Sequence, residues 1–588
     1  MLVQCANELP AGSRDEARAP TAHGRFPAAT SGNSYRTLPT RRDMMPVLMT
    51  GTRFPEARAP RGMVATPHLL ATQSGVAALR AGGNALDAAI AAATTIAVVY
   101  PHMNGVGGDN VWLIYDARAQ RLRALAGIGR AARAATIDWY AARGLSGAIP
   151  ARGGPAALTV PAVVDGWWQA HEYSRASMGS PIGWPALLAD AILYAREGFV
   201  ACEGQCVPPP REPDLFGEQA PDGIRRGLWP LYHPEALRGR PLVQRDLART
   251  LEAVRDGGAE AFYRGEIARR LVAAAAAAGS PLAHEDLAEH RAEWMVPLRI
   301  PYAEGHAASF PPPTQGLAAL AVLGMTERLE MATLPEADYV HVLVEATKLA
   351  FDDRDRYLTD PADMRVSPAE LLAPERLQAR ARLISRAQAR PPRPAAAAGG
   401  DTIALVTADA AGNAVSLIQS LYFTFGAGLM AGDTGVVLQN RGSFFSLDPG
   451  HVNALAPGKR TMHTLIPSMY LEGGRPRFVY GTMGGEGQPQ TQAAILTRRL
   501  FRRLGPQAAV EAPRWLYGRT WGTASRALSL EGRYPPELAR DLARRGHEVA
   551  IGQEWDDLFG HAHCIWLDPE GGLVGGSDPR ADGGALGF

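Results

Sequence analysis

The sequence predicts an α+β fold in which stacked sheets are covered by helices. Three observations carry this expectation. At 588 residues the chain is too long for one ordinary compact core, so two or more domains or one large two-part assembly are expected. The part before Thr402 reads mostly as helix, and after Thr402 the pattern turns to short apolar strands. A helical stretch returns beyond Gly485. Helices, then strands, then helices again suit sheets packed face to face beneath helical layers.

Each element follows from local pattern. Residues 1–62 are rich in Arg, Pro, Ala, Gly, Ser and Thr and read as a disordered extension. From Thr72 to Tyr100 small apolar residues give two closely packing helical stretches, broken at Gly82-Gly83. Asn110 to Leu125 reads as a hairpin turning at Asp116-Ala117. Trp184 to Leu298 is mostly helical, including Glu266 to Ala278, and Pro208-Pro209-Pro210 and Pro311-Pro312-Pro313 read as breaks in this region. Ala337 to Tyr357 reads as one helix, and Leu377 to Arg390 as another that leads into a Pro-, Ala- and Gly-rich linker over residues 388–401. Ile403 to Asp409 is an apolar run closed by a turn at Ala411-Gly412-Asn413, a strand and hairpin signal. Further strands are expected at Ala414–Ile418, Gly435–Leu438 and Arg477–Tyr480, and a helix from Gln490 to Arg502.

Composition excludes several classes. Lys and Arg number 60 against 59 Asp and Glu, a balance that argues against a nucleic-acid surface. No apolar run reaches membrane-spanning length, and no basic patch leads into an apolar core at the N-terminus, so a cytoplasmic protein with no membrane partner is expected. Four cysteines (Cys5, Cys202, Cys206 and Cys564) do not make a disulfide scaffold. His284-Glu285 and His290 have the wrong spacing for a zincin, and no metal site is expected. Gly458-Lys459-Arg460 lacks the hydroxyl residue of a phosphate loop, and no cofactor is required.

The stretch richest in chemistry is Gly399-Gly400-Asp401-Thr402, where the linker meets a strand. Cleavage between Asp401 and Thr402 would give the threonine a free α-amine beside its own hydroxyl, and that amine is the general base a weak oxygen nucleophile needs. The plainer reading is an ordinary β-branched residue opening a strand.

Ordered motifs then give a resemblance. Met63-Val64-Ala65-Thr66-Pro67-His68, Gly82-Gly83-Asn84-Ala85-Leu86-Asp87, Asn104-Gly105-Val106-Gly107-Gly108-Asp109, Glu345-Ala346-Thr347-Lys348 with Asp353-Arg354, Thr402, Gly412-Asn413, Gly484-Gly485 and Ser577-Asp578-Pro579-Arg580 occur in sequence. Together they make the chain resemble the γ-glutamyltransferase family of self-processing N-terminal-nucleophile hydrolases, from about Met63 to Phe588. The resemblance implies an αββα sandwich with a largely helical large subunit, 63–401, and a small subunit, 402–588, that stay associated. Whether such heterodimers pair further is left open. It also implies Thr402 as nucleophile, Gly484-Gly485 as oxyanion hole, Ser420 as the hydroxyl that orients the nucleophile, and Asn440 in the substrate pocket. The plainer alternatives are a tight turn for the glycines, a solvent-facing strand serine for Ser420 and a turn residue for Asn440.

Departures from the family pattern bear on the substrate. Ile403-Ala404 replaces the usual Thr-His after the nucleophile, Arg441 stands near the place of an amine-holding acid, and His463-Thr464 replaces a Ser-Ser pair. The pocket then keeps only its cationic half, which suits a carboxylate-bearing amide without an α-amine. Gln439-Asn440-Arg441-Gly442, Gly484-Gly485-Glu486-Gly487-Gln488 and Pro513-Arg514-Trp515 resemble the oxamate amidohydrolase branch. Arg441 is expected to hold a carboxylate by paired hydrogen bonds, or else to be a solvated surface arginine. Arg130 resembles a large-subunit arginine that binds substrate carboxylate, and His463 and Arg519 are weaker candidates. The rival readings are γ-glutamyl transfer or glutathione hydrolysis, an acylase for bulkier acyl amides served by Tyr422, Phe423, Phe425 and Phe444, and an unprocessed, inactive homologue.

Overall fold

Two seven-stranded sheets face each other and helices cover both outer sides, so the observed architecture is the αββα sandwich. The computed structural model describes residues 52–206, 215, 220–391, 401–518 and 525–588. The extension before residue 52, Pro208-Pro209-Pro210, most of the linker and Arg519 lie outside the described residues.

The first sheet runs in the order Gly584–Gly587, Gly62–Thr66, Asp401–Asp409, Ala414–Tyr422, Asp109–Asp116, Arg121–Gly127 and Glu293–Met295. The second runs Ala57–Ala59, Leu573–Ser577, Ala562–Leu567, Arg475–Thr482, Ser468–Glu472, Gly305–Ser309 and Leu298–Tyr302. Every pairing in both is antiparallel. Both sheets mix strands from before and after Thr402, so the two parts of the chain build common ladders.

The period-two alternation of each strand sorts its side chains between layers. In the strand Asp401–Asp409, Ala404, Val406 and Ala408 join the core between the sheets, with Val111, Leu113, Met469, Val479 and Ile565. Ile403 and Leu405 face the other way, against Ala89, Ile96 and neighbours on the helix Ala85–Val99. Every residue of that helix is buried, which explains its apolar character all round. Asn84 caps it, with Asp87 returning the bond as a capping box. On the far side Gly316–Thr326, Glu336–Tyr357 and Gln488–Leu500 cover the second sheet.

Four expectations change. The N-terminal part is ordered earlier than its composition suggests: Ala57–Ala59 pairs with Leu573–Ser577 as an edge strand, and the Arg53 and Phe54 N–H groups donate to Glu511. The helix expected over Leu377–Arg390 runs from Pro374 and stops at Ala381. Beyond it, Ser385 to Arg390 is held by bonds to His341, Arg545, Glu345 and Lys348, and the residue before Pro391 disfavours the helical region in any case. The strand expected at Gly435–Leu438 shrinks to Val437–Leu438 because Gly435 takes a left-handed turn at φ +70°. The helical expectation for Trp184 to Leu298 gives way at its end to the strand Glu293–Met295, drawn out by pairing with Ala124–Ala126. No described helix is long and apolar enough to cross a membrane.

Candidate active site

Thr402 has the strand parity of Ala404 and Val406, but the ladder slips by one residue between Asp401 and Ile403. A bulge of this kind re-aims a side chain and is frequent beside active sites. The Thr402 hydroxyl donates to Ser420 Oγ at 3.1 Å, and both residues are buried. Ser420 Oγ also accepts the Tyr422 N–H at 2.7 Å. Ser420 is therefore an internal anchor and not a solvent-facing strand serine. Tyr422 has a φ of +84°, a strained conformation for a bulky side chain, and it ends the strand where the chain turns across the site.

The second sheet brings the glycine turn to the same end. Ser416 Oγ donates to the Tyr480 carbonyl at 2.9 Å, and a side chain on Gly481 would meet Ile418 at 3.0 Å and Ala404 at 3.4 Å. The strands Ala414–Tyr422 and Arg475–Thr482 thus advance together, carrying Met483-Gly484-Gly485 toward the end that holds Ser420 and Thr402. Gly484 sits at φ +120° and Gly485 at φ +50°, both unfavourable for L side chains. Their N–H groups donate to no other described residue. The helix Gln488–Leu500 follows directly and adds its N-terminal dipole. The turn reading and the oxyanion-hole reading describe the same glycines.

Behind Tyr422 lies a cationic site. The Arg441 guanidinium stacks 4.0 Å above the Tyr422 ring and is completely buried. Its one hydrogen bond among the described residues runs from Nη1 to Thr464 Oγ1 at 3.2 Å. Among the described residues it is the arginine with two buried, unbonded nitrogens, Nε and Nη2. Burial pushes its pKa down to about 10 against the pull of Tyr422 and Asp109, so it is still a cation at neutral pH. A buried cation without a carboxylate is costly, and an anion placed there would offset that cost. The surface-arginine reading is thus corrected by burial.

His463 orders the neighbouring wall. Its Nε2 lies 3.0 Å from Asp109 Oδ2, and its Nδ1 accepts the Leu465 N–H at 3.4 Å. Burial, reinforced by Arg441, lowers its pKa to about 4 despite Asp109, so the ring is neutral and gives its one proton to Asp109. The other Asp109 oxygen accepts from Gly129 N and Gln439 Nε2, both at 2.9 Å. Asn440 spends its amide on the backbone, accepting Phe423 N at 3.1 Å and donating to Ala151 O at 2.8 Å.

Residues 71–588 match the family model described as gamma-glutamyltranspeptidase. The chain belongs to the gamma-glutamyltranspeptidase family. It is accordingly an enzyme of the N-terminal-nucleophile hydrolase class, acting on C–N amide bonds. The glutathione hydrolase-like YwrD proenzyme of Bacillus subtilis is 42% identical over 90% of this chain and 98% of its own length. The oxamate amidohydrolase proenzyme of Klebsiella pneumoniae is 44% identical, again over 90% and 98%. The crystal structure of cephalosporin acylase from Bacillus halodurans superposes with a TM-score of 0.83 at 36% identity, covering 93% of this chain and 99% of that one.

Not every predicted residue of this family member joins the cluster. Thr402, Ser420, Tyr422, Arg441 and Thr464 are linked by consecutive contacts, and Gln315 connects Thr464 to the Gly484-Gly485 turn. The Arg130 side chain instead turns outward, to Glu293 at 2.7 Å and the Gly458 carbonyl at 3.0 Å, on a separate cavity of about 270 Å³ also lined by Arg133, Glu289 and His290. Sequence reasoning missed Gln315 and gave Arg354 no role. Arg354 Nη1 donates to Gln315 Oε1 at 3.1 Å and Nη2 to Glu486 Oε2 at 3.2 Å, directly under the glycine turn. The one signal for Gln315 was its place after Pro311-Pro312-Pro313, which reads as punctuation.

Proposed function

We propose that this chain is a self-cleaving threonine amidohydrolase whose substrate is a small amide bearing a carboxylate, with oxamate as the type. The observation that carries the reading is buried Arg441, a cation with two unbonded nitrogens stacked on Tyr422, whose backbone N–H bonds the Ser420 that also holds Thr402. The activity named for the Klebsiella relative, oxamate amidohydrolase, supports it.

Maturation begins when Thr402 Oγ, its proton drawn toward Ser420, attacks the Asp401 carbonyl. The acyl group moves from nitrogen to oxygen, water splits the ester, and Thr402 gains a free amine. In turnover that amine accepts the hydroxyl proton as Oγ attacks the substrate amide carbon. The N–H groups of Gly484 and Gly485 face the developing oxyanion. Collapse of the tetrahedral intermediate expels ammonia, which takes the proton, and water then hydrolyses the acyl ester and releases a dicarboxylate. Arg441 and Thr464 hold the distal carboxylate throughout. The fragments 63–401 and 402–588 stay together because their strands share ladders, as where Asp401–Asp409 pairs with Gly62–Thr66.

A γ-glutamyl donor would need a free acid for its α-amine. Asp109 is the nearby acid, and both its oxygens are engaged with His463, Gly129 and Gln439. The acylase reading has one observation of its own, the half-buried rings of Phe423 and Phe444 beside Tyr422.

The test is an intact-mass spectrum of the purified chain beside Thr402→Ala, followed by assays for ammonia from oxamate, glutamate with cysteinylglycine from glutathione, and the free amine from an acylated β-lactam. Two fragments divided at Asp401–Thr402, absent in the variant, with ammonia from oxamate, are expected. A single full-length mass in both chains would promote the inactive homologue.

A further inference from the structure

Gln315 occupies a position that neither the motifs nor the proposed chemistry assigns. The segment Pro313–Gln315 lies alongside His463: the His463 N–H donates to Pro313 O at 2.8 Å, and the Gln315 N–H to His463 O at 2.9 Å. This delivers the Gln315 carboxamide, fully buried, between the two halves of the site. Its Nε2 donates to the Thr464 carbonyl at 3.1 Å and to the Gly485 carbonyl at 2.8 Å. Its Oε1 accepts from Arg354, whose other terminal nitrogen holds Glu486. Every polar atom of the carboxamide is therefore committed, and its orientation is fixed by three partners from three different segments.

One of those partners belongs to the carboxylate site and another to the glycine turn. Thr464 Oγ1 accepts the hydrogen bond of Arg441, and Gly485 is half of the turn proposed to face the oxyanion. In oxamate the carboxylate carbon is bonded directly to the amide carbon, so the two subsites must stand at one short separation. We propose that Gln315 is a positioning residue that sets this separation and thereby selects amides whose carboxylate lies next to the reacting carbonyl. The inference rests on the reading of Thr402 as nucleophile and of Arg441 as the carboxylate site.

Loss of the bridge leaves Arg441 in place, so the substrate still binds, but its carbonyl no longer meets the oxyanion donors squarely. A misplacement of about 1 Å can lower the rate by roughly 10²-fold. Substrates one methylene longer already miss the optimum and lose less.

The experiment compares the wild-type chain with Gln315→Met, which keeps the volume and removes both donors, and Gln315→Glu, which keeps the acceptor for Arg354. Fragment masses, thermal midpoint, kcat and KM are measured with oxamate and with malonamate, its homologue with one added methylene. The expected result is self-cleavage and a KM for oxamate within about threefold of wild type, a kcat for oxamate lowered by roughly tenfold or more, and an oxamate-to-malonamate kcat ratio lowered by about tenfold. Equal losses on both substrates, or no loss, overturn the inference while the amidohydrolase reading stands. A wild-type chain that matures but releases no ammonia from oxamate overturns the substrate reading and this inference with it. If both variants fail to mature, Glu486→Gln, which loosens Arg354 without touching either carbonyl, must lower the same ratio, and an unchanged ratio counts against the proposal.

Discussion

Two buried arginines show how differently one residue type is used in two regions of this molecule. Arg580 lies in a knot of charges, with Glu531 at 2.7 Å and Asp578 at 2.9 Å, and its pKa is raised by them against the cost of burial. Arg533 also pairs with Glu531, and Arg514 commits both terminal nitrogens, to Asp578 and to the carbonyls of Val510, Phe559 and Gly560, with Nε alone left unbonded. Burial, with Arg580 adding to it, still pushes Arg514 down to about 10 against the pull of Asp578. Arg441 is buried as deeply, faces no carboxylate at salt-bridge distance among the described residues, and keeps two nitrogens unbonded. The difference teaches that burial of an arginine says little by itself. A paired carboxylate makes the buried cation structural, and its absence at Arg441 is what supports the receptor role proposed above.

The comparison breaks most visibly at the knot. Arg580→Met would leave Asp578 and Glu531 short of a partner in the interior, at a cost of about 3–5 kcal/mol. Denaturant unfolding should show that loss, or the chain should fail to accumulate. Arg441→Met removes an uncompensated charge, so its unfolding midpoint should stay level or rise. In the same variant kcat/KM for oxamate should fall roughly 10–100-fold, the worth of hydrogen bonds to a charged group. A midpoint that falls with Arg441→Met as it does with Arg580→Met would make Arg441 structural and erase the contrast.

A smaller effect is expected at Ser420, which bonds the proposed nucleophile Thr402. Ser420→Ala takes away the acceptor of the Thr402 hydroxyl and of the Tyr422 N–H. Self-cleavage, followed by mass over time, should slow by about tenfold, in line with a hydrogen bond of roughly 1–1.5 kcal/mol. Unchanged cleavage would leave Ser420 a packing residue only.

Both regions also hold a neutral buried histidine, and these sharpen the comparison through pH. Burial lowers His463 and His561 from 6.5 to about 4. The unfolded chain therefore binds protons below pH 6.5 that the folded chain refuses until about pH 4. Their contribution is fully present above 6.5 and is lost as pH falls toward 4, by at most about 1.4 kcal/mol per pH unit for each group. Unfolding midpoints at pH 7.5, 6 and 5 should decline in that order, and His463→Gln should flatten the slope. An equal slope in the variant would remove His463 as a source.

Much of this site was legible before the structure. A hydroxyl residue at the junction of linker and strand, glycines between a strand and a helix, and an arginine in place of an acid are local patterns, and Thr402, Gly484-Gly485 and Arg441 stand in one connected group. Arg130 was legible only as a residue type. Its neighbours Glu293 and Gly458 lie 163 and 328 residues away, and they turn its side chain outward.

What the sequence by itself determined is the set of elements that short-range physics controls. The small-residue helix capped by Asn84, the hairpin turning at Gly412 (φ +89°) and the all-antiparallel strands around Thr402 follow from propensity, caps and alternation. What only the tertiary structure decided is partnership in the interior. Gln315 meets Thr464 and Gly485 across 149 and 170 residues, and Arg441 is stacked on Tyr422 and bonded to Thr464 by tertiary packing. Desolvation and hydrogen-bond satisfaction depend on neighbours brought together by packing, and no local pattern records which neighbours those are.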